Sequence, residues 1–328
     1  MPGAPQEARW HRPEPRRSVA PELLGRIFGE AFPQRRVLSA APLAGGLRNA
    51  NFKVALDGSP GTVVLRLYEH DASICRKEAD ILRRLAGVVP VPQLYQVKEG
   101  VSEELPPFAL MQYVDGITFH ELKNRRDREA IAQAARSAGE TLAAIAGVSF
   151  DRAGWLGPGL AVGAPLLEGP DPLPRFLDLC LAQPIAERRI PAEWRHRVRD
   201  GVWQCAARLA ELDTDPRLVH GDFNRRNLLV RPAGGHWRVT AVLDWEFAVA
   251  GSPLADVGSF LRYEKPDAPL VEPHFSEGYR AGGGSLPADW RALSCWLTLS
   301  GICESLTHED LPDGIADELV ELLIRHCR

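Results

Sequence analysis

Two nearby stretches of the chain decide its fold. Residues 219–229 read VHGDFNRRNLL, and residues 242–246 read VLDWE. An Asp and an Asn five positions apart, here Asp222 and Asn227, can converge on one point when the loop between them is tight. A second Asp at the end of a following hairpin, Asp244, can reach the same place. Each feature alone is ordinary turn chemistry, but their order and spacing together predict a polar cluster.

The chemistry that suits such a cluster is phosphoryl transfer. That reaction needs one carboxylate to orient and deprotonate a hydroxyl, and oxygen ligands that hold Mg²⁺ against the phosphates. Apolar residues at 228–230 and 239–243 predict a hairpin that would anchor the polar loop on rigid strands. The chain has no G-x-x-x-x-G-K-[ST] motif, which disfavours a P-loop enzyme.

The same stretches resemble the aminoglycoside phosphotransferase and choline kinase superfamily, whose members are relatives of the protein kinases. The resemblance covers most of the chain from about residue 36, although residues 150–210 carry little recognisable motif. It implies a protein-kinase-like fold that uses ATP and Mg²⁺. It also implies that Asp222 is the catalytic base and that Asn227 and Asp244 are Mg²⁺ ligands.

Two further residues acquire a role from this resemblance. His220, two positions before the catalytic Asp, would support the loop rather than react. Asp256, in the stretch GSPLADV at 251–257, matches a family Asp that steadies the loop. Asn224 stands where protein kinases usually have lysine, and Arg225 or Arg226 is a candidate for stabilising the transferring phosphoryl group.

The N-terminal third predicts the nucleotide-binding half of the molecule. Gly45 and Gly46 lie between two predicted strands, where paired glycines let backbone N–H groups approach a phosphate. Kinases place a cation on the third strand to bind the α- and β-phosphates, and a helix Glu fixes it. In this chain the cation position holds Arg66, not lysine, and its expected partner is Glu78. A guanidinium can bind phosphate oxygens in a bidentate manner.

Residues 108–116 read FALMQYVDG and resemble the hinge between the lobes of this family. The resemblance implies that the backbone of Gln112 and Val114 hydrogen-bonds the adenine edge, with Met111 beside the ring. An ordinary apolar strand that ends in an Asp-Gly turn, with no role in nucleotide binding, would have the same sequence pattern. The residues alone leave these two interpretations open.

The predicted elements form two lobes of an α+β protein. A disordered tail is predicted at 1–18, an N-terminal nucleotide-binding lobe at 19–114, and a helical lobe with the catalytic loop and acceptor site at 115–328. The first lobe is a small antiparallel sheet with one helix, and the second is larger and mostly helical. Strands are predicted at 37–42, 51–56, 62–68, 94–97 and 108–114. Helices are predicted at 73–85, 128–146, 175–181, 193–212, 290–306 and 315–326.

Composition excludes several classes of protein. The net charge is −4, whereas nucleic-acid-binding proteins usually show a strong basic excess. The six cysteines are scattered without a C-x-x-C pair, which is typical of reduced thiols in a cytoplasmic protein. No apolar run is long enough to cross a bilayer. We therefore expect a cytoplasmic enzyme that binds neither nucleic acid nor membrane.

The acceptor is expected to be a small molecule with a hydroxyl group, such as an amino sugar, an amino alcohol or a sugar. Residues 251–328 carry thirteen Asp and Glu against six Lys and Arg. Solvated helix faces are the more common cause of such an excess, and the alternative is a wall that faces a cationic acceptor. The acidic candidates are Glu304, Glu309, Asp310 and Asp313, and the aromatic candidates for enclosing an amine are Trp245, Tyr263 and Trp296.

Two alternatives to a small-molecule kinase remain open. A protein kinase is disfavoured because the interval between Asp244 and the next helix near Leu254 is too short for a long activation loop. A non-catalytic nucleotide-binding protein on the same fold is the other alternative. That alternative is disfavoured, because a protein that does not catalyse phosphoryl transfer does not require Asp222, Asn227 and Asp244 together.

Overall fold

The computed structural model describes residues 18–43, 49–68, 72–100, 105–265 and 267–327. Most of the predicted disordered tail lies outside these ranges, as do Gly45 and Gly46. Within them, the chain has the predicted α+β composition: an antiparallel sheet lobe followed by a mostly helical lobe. No helix in the described ranges is both long and apolar enough to span a bilayer.

The first lobe is built on a five-stranded antiparallel sheet. Its elements are α1 (Pro21–Ala31), β1 (Val37–Pro42), β2 (Asn49–Leu56), β3 (Thr62–Tyr68), α2 (Ala72–Leu85), β4 (Leu94–Lys98) and β5 (Phe108–Gln112). The strand order is β1-β2-β3-β5-β4. In α1 the buried residues Leu24, Ile27 and Phe28 recur at helical spacing and pack on one side of the sheet. Helix α2 contacts β3, β4 and β5, and so carries Glu78 beside the strand of Arg66.

The second lobe begins where the chain leaves this sheet between Gln112 and Ile117. Its first half contains β6 (Ile117–Thr118), α3 (Phe119–Asn124), α4 (Arg128–Ile145), β7 (Gly154–Trp155), α5 (Pro172–Leu181), α6 (Pro184–Arg189), α7 (Ala192–Gln204) and α8 (Ala206–Glu211). Its second half contains β8 (Arg217–Val219), β9 (Leu228–Ala233), β10 (His236–Val242), β11 (Val249–Gly251), α9 (Leu254–Leu261), α10 (Glu272–Ala281), α11 (Trp290–Ser305) and α12 (Asp313–His326).

Two small sheets hold the polar loops of this lobe in place. One has the strand order β10-β9-β6, and the other has the order β7-β11-β8. The predicted hairpin is the β9–β10 pair, in which Leu228 lies opposite Val242. The catalytic loop therefore leaves one sheet at the end of β8 and enters the other at the start of β9, so both of its ends are fixed.

The helices differ from the predictions in two respects. The helix predicted over 193–212 is interrupted, because α7 ends at Gln204 and α8 begins at Ala206. In addition, helices α1, α3, α6 and α10 were not predicted from the sequence. The other predicted helices are confirmed to within a few residues at their ends.

Helices α4 and α10 approach closely because glycines face one another across the contact. A Cβ at Gly139 would overlap the carbonyl oxygen of Phe275, and a Cβ at Gly278 would overlap the carbonyl oxygen of Arg136. Backbone atoms cannot move aside as a flexible side chain can. The close approach of these two helices thus depends on both glycines.

We predict that Gly139→Ala or Gly278→Ala lowers the free energy of unfolding by about 1–3 kcal/mol, the usual cost of overpacking. Gly301→Ala in α11 is the matched control, since nothing lies within 4 Å of its added Cβ. That change should be neutral or stabilise by up to about 1 kcal/mol through helix propensity. Urea unfolding of the three variants measures the difference, and equal stabilities would contradict the prediction.

Candidate active site

The loop between β8 and β9 turns sharply at Gly221. The residue has φ = +80°, which favours glycine, and a Cβ there would overlap the carbonyl oxygen of Phe247. The backbone of the loop thus packs directly on the chain that follows Asp244. This contact explains why a glycine precedes Asp222 in the motif.

The carboxylate of Asp222 is held by two side-chain amides. Asn224 donates an N–H to Oδ1 at 2.7 Å, and Asn227 donates an N–H to Oδ2 at 2.8 Å. Asn224 is itself fixed, because its amide oxygen accepts the backbone N–H of Arg226 at 2.8 Å. A carboxylate can accept about four hydrogen bonds, so Asp222 keeps the capacity to accept a proton from a hydroxyl. The role of Asn224, left open by the sequence, is thus to orient Asp222.

His220 supports the loop from beneath in a single tautomer. Its Nδ1 accepts the backbone N–H of Asp222 at 3.2 Å, and its Nε2 donates to the carbonyl of Leu243 at 2.9 Å. Burial lowers the pKa of His220 below its ordinary value, which favours the neutral imidazole. The ring packs on Trp245 with centroids 4.4 Å apart. His220 thereby couples the position of Asp222 to the segment that carries Asp244.

Asp256 steadies the same loop from α9. Its two carboxylate oxygens accept the backbone N–H groups of His220 at 2.6 Å and Gly221 at 3.0 Å. Burial raises the pKa of Asp256 to about 7, against the lowering effect of these hydrogen bonds. The geometry agrees with the supporting role that the resemblance implied for this residue.

Asp244 follows β10 and lies next to the strand of Arg66. It has φ = +67°, an uncommon conformation for a residue with a side chain. The Arg66 guanidinium contacts Asp244 Oδ1 at 2.8 Å and Glu78 Oε2 at 3.0 Å. Although burial disfavours its charge, these carboxylates raise the pKa of Arg66 above its ordinary value. The predicted pair of Arg66 and Glu78 is therefore present, and it extends to Asp244 across the two lobes.

Sequence reasoning missed a second contact between the lobes. Asn49 in β2 donates its side-chain N–H to Glu246 at 2.7 Å. The buried Lys77 in α2 donates to the backbone carbonyl of Glu246 at 2.6 Å. The DWE stretch at 244–246 thus binds the N-terminal lobe through two of its three residues. The only indication of these contacts in the sequence was that Asn49, Lys77 and Glu246 are polar.

A cavity of about 560 Å³ lies between the lobes. Its lining includes five residues of the predicted site in the N-terminal lobe and hinge, namely Arg66, Glu78, Met111, Gln112 and Val114. Asn227 and Asp244 line it as well, together with the apolar residues Leu43, Val64, Leu82, Leu229, Val242 and Leu243. The backbone N–H of Gln112 is already bonded to the carbonyl of Gln93 at 2.8 Å. Of the two backbone groups of Gln112, only the carbonyl could therefore hydrogen-bond an adenine edge.

The residues at the cavity suit Mg²⁺ held jointly with phosphates. Asn227 turns its amide nitrogen toward Asp222, which leaves the amide oxygen as its possible metal ligand. Asp244 supplies carboxylate oxygens. Within the described ranges, no group of three or more His, Cys, Asp and Glu is placed to hold a metal ion. Two protein oxygens fit Mg²⁺, which keeps waters and binds substrate phosphates instead of entering an all-protein cage.

The two loop arginines have different surroundings. Arg225 is buried, lies 3.8 Å from a carboxylate oxygen of Glu264, and places its guanidinium over the ring of Phe260. Arg226 lines the cavity. Of the two, Arg226 is therefore the one placed to meet a phosphate.

The acidic and aromatic candidates for an acceptor site are not gathered at the cavity. Glu304, Glu309, Asp310 and Asp313 are exposed near the end of α11, where Arg189 binds the carbonyls of residues 306, 308 and 311. Trp245 is buried against His220, and Trp296 packs on Gly201. Of these candidates, the lining of the described cavity includes Trp245 alone.

We predict that Asn224→Ala lowers kcat by roughly tenfold, because one of the two amides that orient the Asp222 carboxylate is lost. The dissociation constant for nucleotide should not change, since Asn224 is not among the described residues that line the cavity. Gln204→Ala, at an exposed position of α7, is the control. Steady-state kinetics give the comparison, and an unchanged kcat would contradict the orienting role.

Comparison with known proteins agrees with this architecture. A model of the phosphotransferase enzyme family matches residues 39–296. Among solved structures, the GDP complex of wild-type aminoglycoside 2'-phosphotransferase-IIIa has a TM-score of 0.67 at 18% identity, covering 92% of this chain and 96% of that chain. A thermostable mutant of aminoglycoside phosphotransferase APH(4)-Ia, in a ternary complex with AMP-PNP and hygromycin B, has a TM-score of 0.62 at 21% identity, covering 92% and 96%. These similarities confirm the kinase-like fold.

The curated relatives are much longer proteins. Acyl-CoA dehydrogenase family member 11 of Gallus gallus is 29% identical over 236 residues, which are 69% of this chain and 28% of that protein. Acyl-CoA dehydrogenase family member 10 of Mus musculus is 30% identical over 236 residues, which are 68% of this chain and 19% of that protein. Acyl-CoA dehydrogenase family member 11 of Pongo abelii is 32% identical over 99 residues, which are 30% of this chain and 12% of that protein. The chain thus spans less than a third of each relative. Because the family model matches most of this chain, at residues 39–296, the chain belongs to the phosphotransferase enzyme family.

Proposed function

We propose that the protein transfers the γ-phosphoryl group of ATP to a hydroxyl group of a small molecule. The observation that supports this most is the convergence of Asn227, Asp244 and the Arg66–Glu78 pair on one cavity, with Asp222 bonded to Asn227. The hinge residues line the same cavity, where an adenine would have apolar surroundings. One cavity therefore offers groups for the phosphates and the metal, and the proposed base is hydrogen-bonded to one of its lining residues.

In the proposed reaction, Asp222 accepts the proton of the acceptor hydroxyl. The hydroxyl oxygen then bonds to the γ-phosphorus while the bond from that phosphorus to the β–γ bridging oxygen breaks, and ADP leaves. Asn224 and Asn227 keep the Asp222 carboxylate oriented throughout. Such a general base contributes about 10²- to 10⁴-fold to the rate.

The phosphates would be held from both lobes. Arg66, fixed by Glu78, would present its guanidinium to the phosphate oxygens, and Arg226 lies on the opposite lobe. Asn227 and Asp244 would hold Mg²⁺, which when bound neutralises charge on the β- and γ-phosphates. In the structure, Arg66 contacts Asp244 directly. These two side chains must therefore share or exchange partners when the nucleotide enters.

The alternatives differ from this proposal in what they require. A protein kinase would need room for a long activation segment, yet α9 begins at Leu254, shortly after Asp244. The hypothesis of a cationic acceptor rested on four acidic residues that lie at the end of α11, so the geometry adds no support for it. A non-catalytic nucleotide-binding protein would bind ATP without consuming it.

An ATP-consumption assay tests the proposal. Purified protein, Mg²⁺ and ATP are incubated with panels of sugars, amino sugars, amino alcohols and uncharged alcohols, and ADP formation is measured. The expected result is acceptor-dependent ADP formation that disappears in Asp222→Ala. Nucleotide binding without any Asp222-dependent turnover would favour the non-catalytic alternative, and the absence of Mg²⁺-dependent nucleotide binding would refute both.

A further inference from the structure

The register of β2, β3 and β5 sorts the side chains on the cavity side of the first sheet into layers. Residues directly opposite one another in adjacent strands project from the same face. Lys53 lies opposite Val64, and Val64 lies opposite Met111, so these three form a first layer. Asn51 lies opposite Arg66 and belongs to a second layer. The second layer is two residues further along each strand, or about 7 Å.

The first layer lies at the hinge. Val64 and Met111 line the cavity. The ammonium group of Lys53 lies 4.0 Å from the centre of the ring of Tyr113, which is the hinge residue after Gln112. A cation over an aromatic face is attracted by the ring quadrupole. The apolar part of this layer therefore suits an adenine, and its cation is directed to the hinge.

A third layer, on the far side of the second, joins the sheet to its surroundings. Asn49, two positions before Asn51, donates to Glu246 of the second lobe at 2.7 Å. Tyr68 lies opposite Asn49 and donates its hydroxyl to Glu78 in α2 at 2.5 Å. The polar side chains of this layer thus have structural partners within the protein.

The second layer lies at the level expected for the phosphates. Asn51 and Arg66 line the same cavity from adjacent strands. Side chains directly opposite one another in an antiparallel pair have Cβ atoms about 4.5–5.5 Å apart. At that separation, an amide and a guanidinium can reach the same phosphate group. Among the residues that the structure describes, the side-chain amide of Asn51 has no hydrogen-bond partner.

The backbone of Asn51 is held from both sides. Strand β2 pairs with β1 on one edge and with β3 on the other. The carbonyl of Asn51 also accepts the N–H of Leu43, just after the end of β1, at 2.8 Å. A donor on a fixed backbone binds a ligand at low entropic cost.

A neutral donor suits this position better than a further charge. Arg66 already contacts the carboxylates of Asp244 at 2.8 Å and Glu78 at 3.0 Å. A lysine beside Arg66 would compete for these carboxylates, and an aspartate would repel a phosphate. An amide N–H does neither, and a hydrogen bond to a charged phosphate oxygen is about twice as strong as one between neutral groups.

We propose that Asn51 is a further phosphate-binding residue, whose side-chain amide donates an N–H to an oxygen of the phosphate group that Arg66 binds. This inference rests on the proposed phosphotransferase function and extends its nucleotide site to β2. In that function Asp244 passes from Arg66 to Mg²⁺. Asn51 supplies a donor whose position does not depend on that exchange.

Three probes show which part of the nucleotide Asn51 contacts. AMP-PNP is titrated by calorimetry in the presence of Mg²⁺, and inorganic tripolyphosphate and adenosine are measured by their displacement of AMP-PNP. Asn51→Ala should weaken AMP-PNP and tripolyphosphate by a similar factor, about tenfold to 100-fold, as expected for a hydrogen bond to a charged group. Adenosine affinity should stay within about twofold of wild type.

Two results with these probes would overturn the proposal. A loss of adenosine affinity as large as that of AMP-PNP would assign the contact of Asn51 to the base or the ribose. Unchanged affinity of the variant for AMP-PNP or for tripolyphosphate would show that Asn51 does not bind phosphate, as would failure of tripolyphosphate to displace AMP-PNP from wild type.

Further variants separate the hydrogen bond from packing. Asn51→Leu keeps the branched shape without an N–H, so it should lose as much AMP-PNP affinity as Asn51→Ala. Asn51→Asp should lose more, because its carboxylate repels the phosphates and can pair with Arg66. Ser39→Ala, at an exposed position of β1 in the same sheet, is the control and should have no effect. Wild-type affinity in Asn51→Leu would refute the hydrogen bond, and thermal unfolding checks that each variant is folded.

Failure of the proposed function gives a different result. If Asn51→Ala weakens AMP-PNP binding but no acceptor supports Asp222-dependent ADP formation, the phosphotransferase proposal fails while the phosphate contact stands. If ADP formation depends on Asp222 and the KM for ATP is unchanged in Asn51→Leu, the function stands and the contact is refuted. Absence of Mg²⁺-dependent AMP-PNP binding to wild type would refute both.

Discussion

Asp222→Asn will lower kcat by at least about 10³-fold and leave nucleotide affinity within about threefold of wild type, because it removes the proton acceptor but keeps the shape of the side chain. Asparagine can still accept one hydrogen bond from Asn224 or Asn227, so the loop should remain in place. Single-turnover measurement with saturating ATP separates this loss of chemistry from any loss of binding.

Asp200→Asn, at an exposed position of α7, is the control for the loss of a carboxylate. Its kcat should equal that of wild type. A residual rate above about one tenth in Asp222→Asn would show that Asp222 is not the general base, because such catalysis is worth at least about 10²-fold. Thermal unfolding of both variants checks that the fold is intact.

Asp244→Asn will lower kcat/KM by on the order of 10³-fold and raise the Mg²⁺ concentration needed for half-maximal rate by more than about tenfold. The change removes the negative charge of one of two proposed metal ligands. Arg66 keeps its second partner, Glu78, at 3.0 Å, so the N-terminal lobe should fold normally. Titration of Mg²⁺ at fixed ATP measures the effect.

The exposed Asp267 provides the comparison, since Asp267→Asn removes an equal charge away from the cavity. A Mg²⁺ requirement unchanged in Asp244→Asn would exclude Asp244 as a metal ligand. An equal rise in both variants would assign the effect to net charge instead of coordination.

The catalytic loop could be predicted from the sequence because its partners are local. Asp222, Asn224 and Asn227 lie within six positions, and a tight loop has few ways to arrange them. The strands of the first lobe were predictable for a similar reason, since their apolar residues alternate and turn residues separate them. Roles that come from position in a short motif are thus accessible without a structure.

Contacts between distant segments were not accessible in this way. Asn49 and Glu246 are 197 positions apart, and nothing in either neighbourhood specifies the other. Strand β7 has only two residues, so no sequence period could indicate it, and only its pairing with β11 shows that Trp155 lies in a sheet. The acidic residues near the end of α11 show a second limit of prediction from sequence. Their negative charge is evident from composition, but their position in the fold is not.

The anchoring of helix α2 has a consequence for how the protein works. Lys77 and Asp80 each bind backbone of the second lobe, at Glu246 and Gly159. Between them Glu78 is held by Arg66. A helix held at three residues within about one turn does not move outward, as a regulatory helix must. We therefore expect constitutive activity, with a rate that depends on the concentrations of the two substrates and not on a movement of α2.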